Sequence, residues 1–143
     1  MNEPYRRATY DEIAIGDEAS FGVRVDEAMV RSFAEFSGDR NPLHMDEHYA
    51  RHTAPGRRIA HGMIVGALFS RLVGMHLPGK YSLYLSQTLR FRNPIAFDAD
   101  IIIKGKVIHK SDAHRTVTIH TKAEDPDTGT VLVDGEAIVG ILK

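Results

Sequence analysis

Residues 62–77, GMIVGALFSRLVGMHL, constrain the fold of this chain more than any other stretch. Drawn as a helix, the run is apolar on nearly every face, and Pro78 and Gly79 end it. Such a helix belongs in an interior. Ser70, Arg71 and His76 interrupt it and it is too short to span a bilayer, so protein has to cover it. The cover follows in the sequence. Leu83, Leu85, Gln87, Leu89 and Phe91 alternate with Tyr84, Ser86, Thr88 and Arg90, and residues 101–108, 115–123 and 130–141 repeat the habit. Asp125, Pro126, Asp127, Thr128 and Gly129 form a hairpin turn signal between the last two runs. The pattern predicts an α+β fold in which an antiparallel sheet curls round one buried helix.

Upstream, Phe21, Val23 and Val25 alternate over residues 20–25 and predict a strand. Asp26 is placed to cap a helix in which Met29, Val30, Phe33, Ala34 and Phe36 keep the helical period as far as Gly38. Asp46 can cap a short helix running to about His52, followed by a polar loop from Thr53 to Arg58. Residues 1–19 read as an irregular lead-in with a turn at Gly16 and Asp17. No repeat, linker or low-complexity segment divides the chain, so residues 1–143 are expected to form a single domain with its own core.

Several classes of function are excluded early. A net charge of −1 and the lack of a basic tract give no pull toward nucleic acid or an anionic membrane. With no cysteine there are no disulfides, no thiolate catalysis and no zinc–sulfur site. The opening MNEPYRRATYDEI lacks the apolar core of a signal peptide, and a soluble cytoplasmic protein is expected.

The chemistry gathers in residues 33–46, FAEFSGDRNPLHMD, where Asp39, Asn41 and His44 fall within six residues. Pro42 lacks a backbone N–H and pushes Asn41 out of the α region, while Gly38 lets the chain leave the preceding helix in a left-handed turn. A sharply bent loop is expected, not regular helix. It presents a carboxylate, an amide and an imidazole, parts suited to proton transfer. The bland alternative is that Asp39 serves local N–H groups and His44 packs in a turn.

His61 and Gly62 open the apolar helix. The first N–H groups of a helix have no intrahelical partner and carry the positive end of its dipole, so the Gly62 backbone is a ready oxyanion donor. Gly62 could equally serve only close packing of the helix start. Gly62, Gly66 and Ser70 share one face by their spacing, and a strand, a partner chain or a ligand must approach it closely. Ser70 is a candidate substrate contact, against the common habit of a mid-helix serine bonding a carbonyl one turn back. His48 and His52 are four apart but lack a placed acidic third ligand, so no metal site is expected. His76, His109, His114 and His120 read as surface residues.

SGDRNPLHMD, IAHGMIVGALFSRLVG over residues 59–74 and LYLSQTLRFRNPI from residue 83 onward together resemble the MaoC-like (R)-specific enoyl-CoA hydratases, the hydratase 2 family. The resemblance covers roughly residues 20 to 141, and its first motif is the specific one. It implies a hot-dog fold, an antiparallel sheet wrapped around a long central helix, and a homodimer whose two sheets join edge to edge. The family's catalytic aspartate and histidine match Asp39 and His44, its supporting asparagine matches Asn41, and its oxyanion donor matches the Gly62 backbone. A helix serine that contributes in bacterial polyester-supplying members falls on Ser70. Ala99 before Asp100 departs from the Gly-Asp pair of many relatives, at a turn away from the motif.

The implied activity is reversible hydration of a trans-2-enoyl-CoA to an (R)-3-hydroxyacyl-CoA, with His44 and Asp39 handling the protons. It needs no metal and no cofactor, since CoA is part of the substrate. Arg57, Arg58, Arg90 and Arg92 are candidates by position for the CoA phosphates. An acyl-CoA thioesterase and a non-catalytic acyl-CoA-binding module on the same fold are the rival readings.

Overall fold

The computed structural model describes residues 4–143. The alternating runs become β1 (Glu18–Val25), β2 (Ser82–Gln87), β3 (Arg90–Phe91), β4 (Ala99–Ser111), β5 (Thr116–Glu124) and β6 (Val131–Ile141). They form one six-stranded sheet in the order β1-β4-β5-β6-β2, with β3 also pairing to β6, and every pairing is antiparallel. Alternation decides which side faces inward: Ile101, Ile103 and Val107 of β4 and Val117, Ile119 and Ala123 of β5 are buried. Gly105 lies between them because the Leu72 side chain occupies the space its Cβ would need, 2.7 Å away.

The central helix, α4 (Met63–Arg71), runs on through a π-helical turn over Leu72–His76. It buries Ile64, Val65, Leu68, Phe69, Leu72 and Val73. It is not buried all round, as its composition predicts. Met63, Ala67, Ser70 and Arg71 are exposed, because a single sheet covers only one side. Among the described residues no helix is long and apolar enough to cross a membrane.

α1 (Glu27–Ser37) starts and stops as its sequence predicts. The Asp26 carboxylate accepts the Met29 N–H at 2.9 Å, and Gly38 ends the helix at φ +78°. α3 (Glu47–Ala50) is capped by Asp46 through the Tyr49 N–H. Between them lies α2 (Pro42–Met45), a single helical turn where only a bent loop was expected. The difference has a simple cause. Proline is excluded from helix interiors but tolerated at the first position, where its missing N–H would be unpaired anyway.

The expected strand from Leu83 to Phe91 is broken into β2 and β3. The Thr88 carbonyl oxygen lies 1.8 Å from where a Gly135 Cβ would sit, so the chain crosses β6 there at a distance only glycine permits. Thr88 stays tied to β6, its N–H donating to the Glu136 carbonyl and its hydroxyl accepting the Glu136 N–H, each at 2.9 Å.

A second polar cluster closes the opposite end of the core. Tyr10, in a short 3-10 turn (Tyr10–Glu12), donates its hydroxyl to Asp112 at 2.6 Å, which pushes its pKa up to about 12. The Lys110 ammonium donates to the carbonyls of Tyr10 at 2.8 Å and Ile13 at 2.6 Å, and lies 4.2 Å from the Tyr10 ring centre. His76, expected at the surface, is half-buried with its ring 5.4 Å from that of Phe21.

Candidate active site

The segment after α1 is organised by its own side chains. The Ser37 hydroxyl donates to the Phe33 carbonyl at 2.6 Å and accepts the Asp39 N–H at 3.1 Å. Asp39 Oδ1 accepts the Asn41 N–H at 3.2 Å, an Asx turn. Asn41 Oδ1 accepts the Leu43 N–H at 2.9 Å and so caps α2. Asp39 and Asn41 therefore do shape the turn, as the bland reading held, and the turn they shape carries His44.

His44 Nδ1 lies 2.7 Å from the Ile59 carbonyl oxygen. A carbonyl can only accept, so Nδ1 holds a hydrogen, and in the neutral ring Nε2 keeps its lone pair. The Arg58 Nε donates to the His44 carbonyl at 2.7 Å, a second nitrogen pairs with Glu27 at 3.1 Å, and the guanidinium covers the Phe97 ring at 4.3 Å. Arg58 is thus committed inside the chain, where it supports α2 and holds the Glu27 carboxyl below its ordinary range. Arg92 is paired with Asp134 at 3.1 Å, and Arg57 and Arg90 are exposed.

His61 joins this group and was not assigned a role from sequence. It is 2% exposed. Its Nε2 is 2.9 Å from the Asp39 backbone oxygen, so Nε2 is the protonated nitrogen; its Nδ1 is buried without a hydrogen-bond partner. Its ring centre is 4.0 Å from that of His44, with 32° between the planes, and 4.7 Å from that of Phe33. Burial holds its pKa below the usual imidazole value. One donor atom each from Asp39, His44 and His61 lies within 4.8 Å of the others. A cation could bridge such a spacing. Each ring gives one hydrogen to a carbonyl, of Ile59 and of Asp39, which fixes the ring and leaves its other nitrogen for a proton or a ligand. The Asp39 side chain is 49% exposed, half open to solvent in this chain.

A cavity of about 270 Å³ opens beside His44 and is lined further by Gly62, Phe91, Arg92, Pro94 and Ile95. The first turn of α4 closes through Ile64 N–H to the His61 carbonyl and Val65 N–H to the Gly62 carbonyl. The N–H groups of Gly62 and Met63 precede any intrahelical acceptor, as an oxyanion donor requires. Gly62 is also required for packing. A Cβ there would stand 2.6 Å from the Phe91 ring. The next glycine on the stripe, Gly66, faces Leu89 at an ordinary 3.5 Å. The segment that approaches the small face is therefore the chain's own, from Leu89 to Phe91.

Ser70 lies two turns further along α4, exposed and outside this cavity. His48 of α3 and His52, just past its end, meet edge to face at 5.3 Å, both exposed. Two signals in the sequence point to what was missed. A histidine directly before a helix-opening glycine lies where the chain enters the core. Two residues of strand span nearly the length of four residues of helix, so Leu89 and Phe91 match Gly66 and Gly62 in step.

Comparison with known proteins bears on this geometry. The model described as "MaoC like domain" matches residues 8–127. A 3-hydroxybutyryl-CoA dehydratase of Methylorubrum extorquens is 34% identical over 134 residues, covering 94% of this chain and 84% of the relative. An (R)-specific enoyl-CoA hydratase of Aeromonas caviae is 37% identical over 127 residues, covering 89% of this chain and 94% of the relative. The unliganded R-hydratase PhaJ1 of Pseudomonas aeruginosa superposes with a TM-score of 0.88 at 37% identity, covering 94% of this chain and 86% of that one.

Proposed function

The chain belongs to the MaoC-like domain family, and from that premise we propose that it is an (R)-specific enoyl-CoA hydratase. It adds water reversibly across a trans-2-enoyl-CoA to give an (R)-3-hydroxyacyl-CoA. The observation that carries this reading is the grouping of Asp39, His44 and His61 within 4.8 Å of one another, beside a cavity that His44 and the helix-opening Gly62 line. Its fold is the hot-dog fold of that family, and relatives at 34–37% identity are named for CoA thioesters, as a 3-hydroxybutyryl-CoA dehydratase and as (R)-specific enoyl-CoA hydratases.

The reaction needs a base for the water, a proton for C2 and stabilisation of charge on the thioester oxygen. Nε2 of His44 carries a lone pair, which suits it to take a proton from water as the oxygen attacks C3. Asp39 delivers a proton to C2 from the same face. That step needs a protonated carboxyl, which the proton taken from water by His44 restores after each turnover. Asn41 holds the turn that aims His44 and orients the water. The Gly62 N–H and the dipole of α4 receive the enolate-like oxygen; one such donor typically contributes about 3 kcal/mol. No metal or redox cofactor enters these steps, and CoA arrives on the substrate.

The working form is a homodimer. β2 is an edge strand with Leu83 and Leu85 half-exposed, and Met63 and Phe91 stand half-exposed nearby on α4 and β3. An open apolar edge of this kind favours pairing with a second copy. The same reading places the enzyme in the cytoplasm.

The test is the loss of crotonyl-CoA absorbance at the conjugated double bond, with stereochemical analysis of the product. Rapid conversion to the (R)-hydroxy product supports the hydratase. Release of free CoA without a hydroxyacyl product would replace it with a thioesterase, and binding without turnover would leave only a binding module.

A further inference from the structure

We infer that His61 is a positioning residue that locks the two ends of the proposed catalytic turn onto the start of α4. The inference rests on the hydratase reading for what is being positioned, and on geometry for how. One imidazole touches both members of the pair. Its Nε2–H holds the backbone carbonyl of Asp39 at 2.9 Å, and its face stacks on His44 at 4.0 Å. Those contacts fall at opposite ends of the five-residue step from Asp39 to His44. The next residue along the chain is Gly62, whose N–H is the proposed oxyanion donor. A single buried side chain therefore ties acid, base and oxyanion site into one rigid unit.

The rest of the turn cannot do this alone. Its own bonds, Asn41 N–H to Asp39 and Leu43 N–H to Asn41, fix its local shape, and the Asp39 N–H donated to Ser37 ties it back to α1, but none of them reaches the start of α4. His44 is anchored through Ile59 and Arg58, both on its own side. Among the described side chains, only His61 donates a hydrogen bond to the Asp39 end. That bond comes from a ring 2% exposed, walled by Phe33 on another side.

The role requires His61 to stay neutral with its hydrogen on Nε2. A second cation stacked 4.0 Å from His44 would oppose proton uptake there. The groups facing His61 are Asp39 and His44, with Arg58 and its partner Glu27 beyond the His44 carbonyl. His61 has no proton path of its own to the substrate in this account and does no chemistry.

Two substitutions separate its two contacts. His61→Phe keeps a stacked ring and deletes the donor. His61→Gln keeps a nitrogen donor near the Nε2 position and deletes the ring. With crotonyl-CoA, His61→Phe is expected to lower kcat about 10- to 100-fold with little change in KM, the scale of an ångström-sized misplacement. His61→Gln is expected to recover most of that loss. In the same pair, amide hydrogen exchange over Asp39–His44 should accelerate in His61→Phe while that of β4, β5 and β6 stays slow. Long-range 1H–15N spectra of the wild type should show His61 as the Nε2–H tautomer through the neutral range.

Equal kcat in wild type and both variants would overturn the inference, as would a protonated or Nδ1–H His61. So would exchange that accelerates throughout the sheet, since that marks a general structural role. If the wild type fails to hydrate any enoyl-CoA, the hydratase reading falls, while the exchange and tautomer results still decide the positioning role.

Discussion

Two polar clusters sit at opposite ends of the same core, and they are built on opposite terms. At the Tyr10 end the side chains of Tyr10 and Lys110 both find partners. Lys110 donates to two carbonyls, Tyr10 donates to Asp112, and the ammonium covers the phenol ring. At the Asp39 end groups are left over. His61 Nδ1 is buried without a partner, His44 Nε2 keeps its lone pair, and the Asp39 carboxylate is half open to water. A satisfied cluster can only hold the fold. An unsatisfied one keeps capacity for a ligand, and that residual capacity, more than the residue types, separates a site from a brace.

If that contrast is right, damage should separate cleanly. The largest effect is expected from Asp39→Asn and His44→Ala. Each should lower the rate of crotonyl-CoA hydration by about 10²- to 10⁴-fold while leaving the thermal midpoint nearly unmoved. A large fall in the midpoint would move Asp39 to the side of the brace. Gly62→Ala comes next and should damage both properties, with about 10²-fold lost in rate and about 1–3 kcal/mol in stability from collision with Phe91. Adding Phe91→Ala should restore the stability and not the rate, as read by urea titration beside the assay.

Lys110→Met tests the opposite cluster. It should cost about 1.5–3 kcal/mol for each charged hydrogen bond lost, with kcat unchanged. A change in kcat would show that the two ends communicate. A smaller effect concerns pH. His61 is held below its ordinary value of 6.5 by burial. The unfolded chain therefore takes up a proton near that pH while the folded chain does not, and stability falls as the pH drops below it. Above that pH the group contributes nothing. Urea midpoints between pH 7.5 and pH 5.5 should fall further in the wild type than in His61→Phe. The carboxylates Glu27 and Glu124, held low by Arg58 and by Lys104 and Lys122, make their losses only at more acidic pH, around and below 4.5.

Much of this was legible in the residues. Period-two alternation marked five strand runs, one of which divides into β2 and β3, Asp26 and Gly38 bounded α1, and the Asp39–His44 spacing marked the candidate site. What escaped was what depends on partners distant in sequence. The break between β2 and β3 is imposed by Gly135, and no local property of Thr88 announces it. The exposed side of α4 follows from there being one sheet in the chain, a count that helix composition does not encode. His61 looked like part of a helix start because its partners, the Asp39 carbonyl and the His44 ring, are 22 and 17 positions back in the chain. Pro42 was misread for a different reason, since the same residue that forbids a helix interior favours a helix beginning.

The crossing at Gly135 sets terms for anyone reshaping this cavity. Phe91 and Leu89 stand over the glycines of α4 because the chain first passes Gly135 at backbone distance. Side chains at 89 and 91 are therefore adjustable parts, open to trial in a library aimed at longer or branched acyl groups. Position 135 is not adjustable. A methyl group there would meet the Thr88 carbonyl and displace the whole wall, so a screen that varies all three together would discard good designs for a fault unrelated to substrate fit.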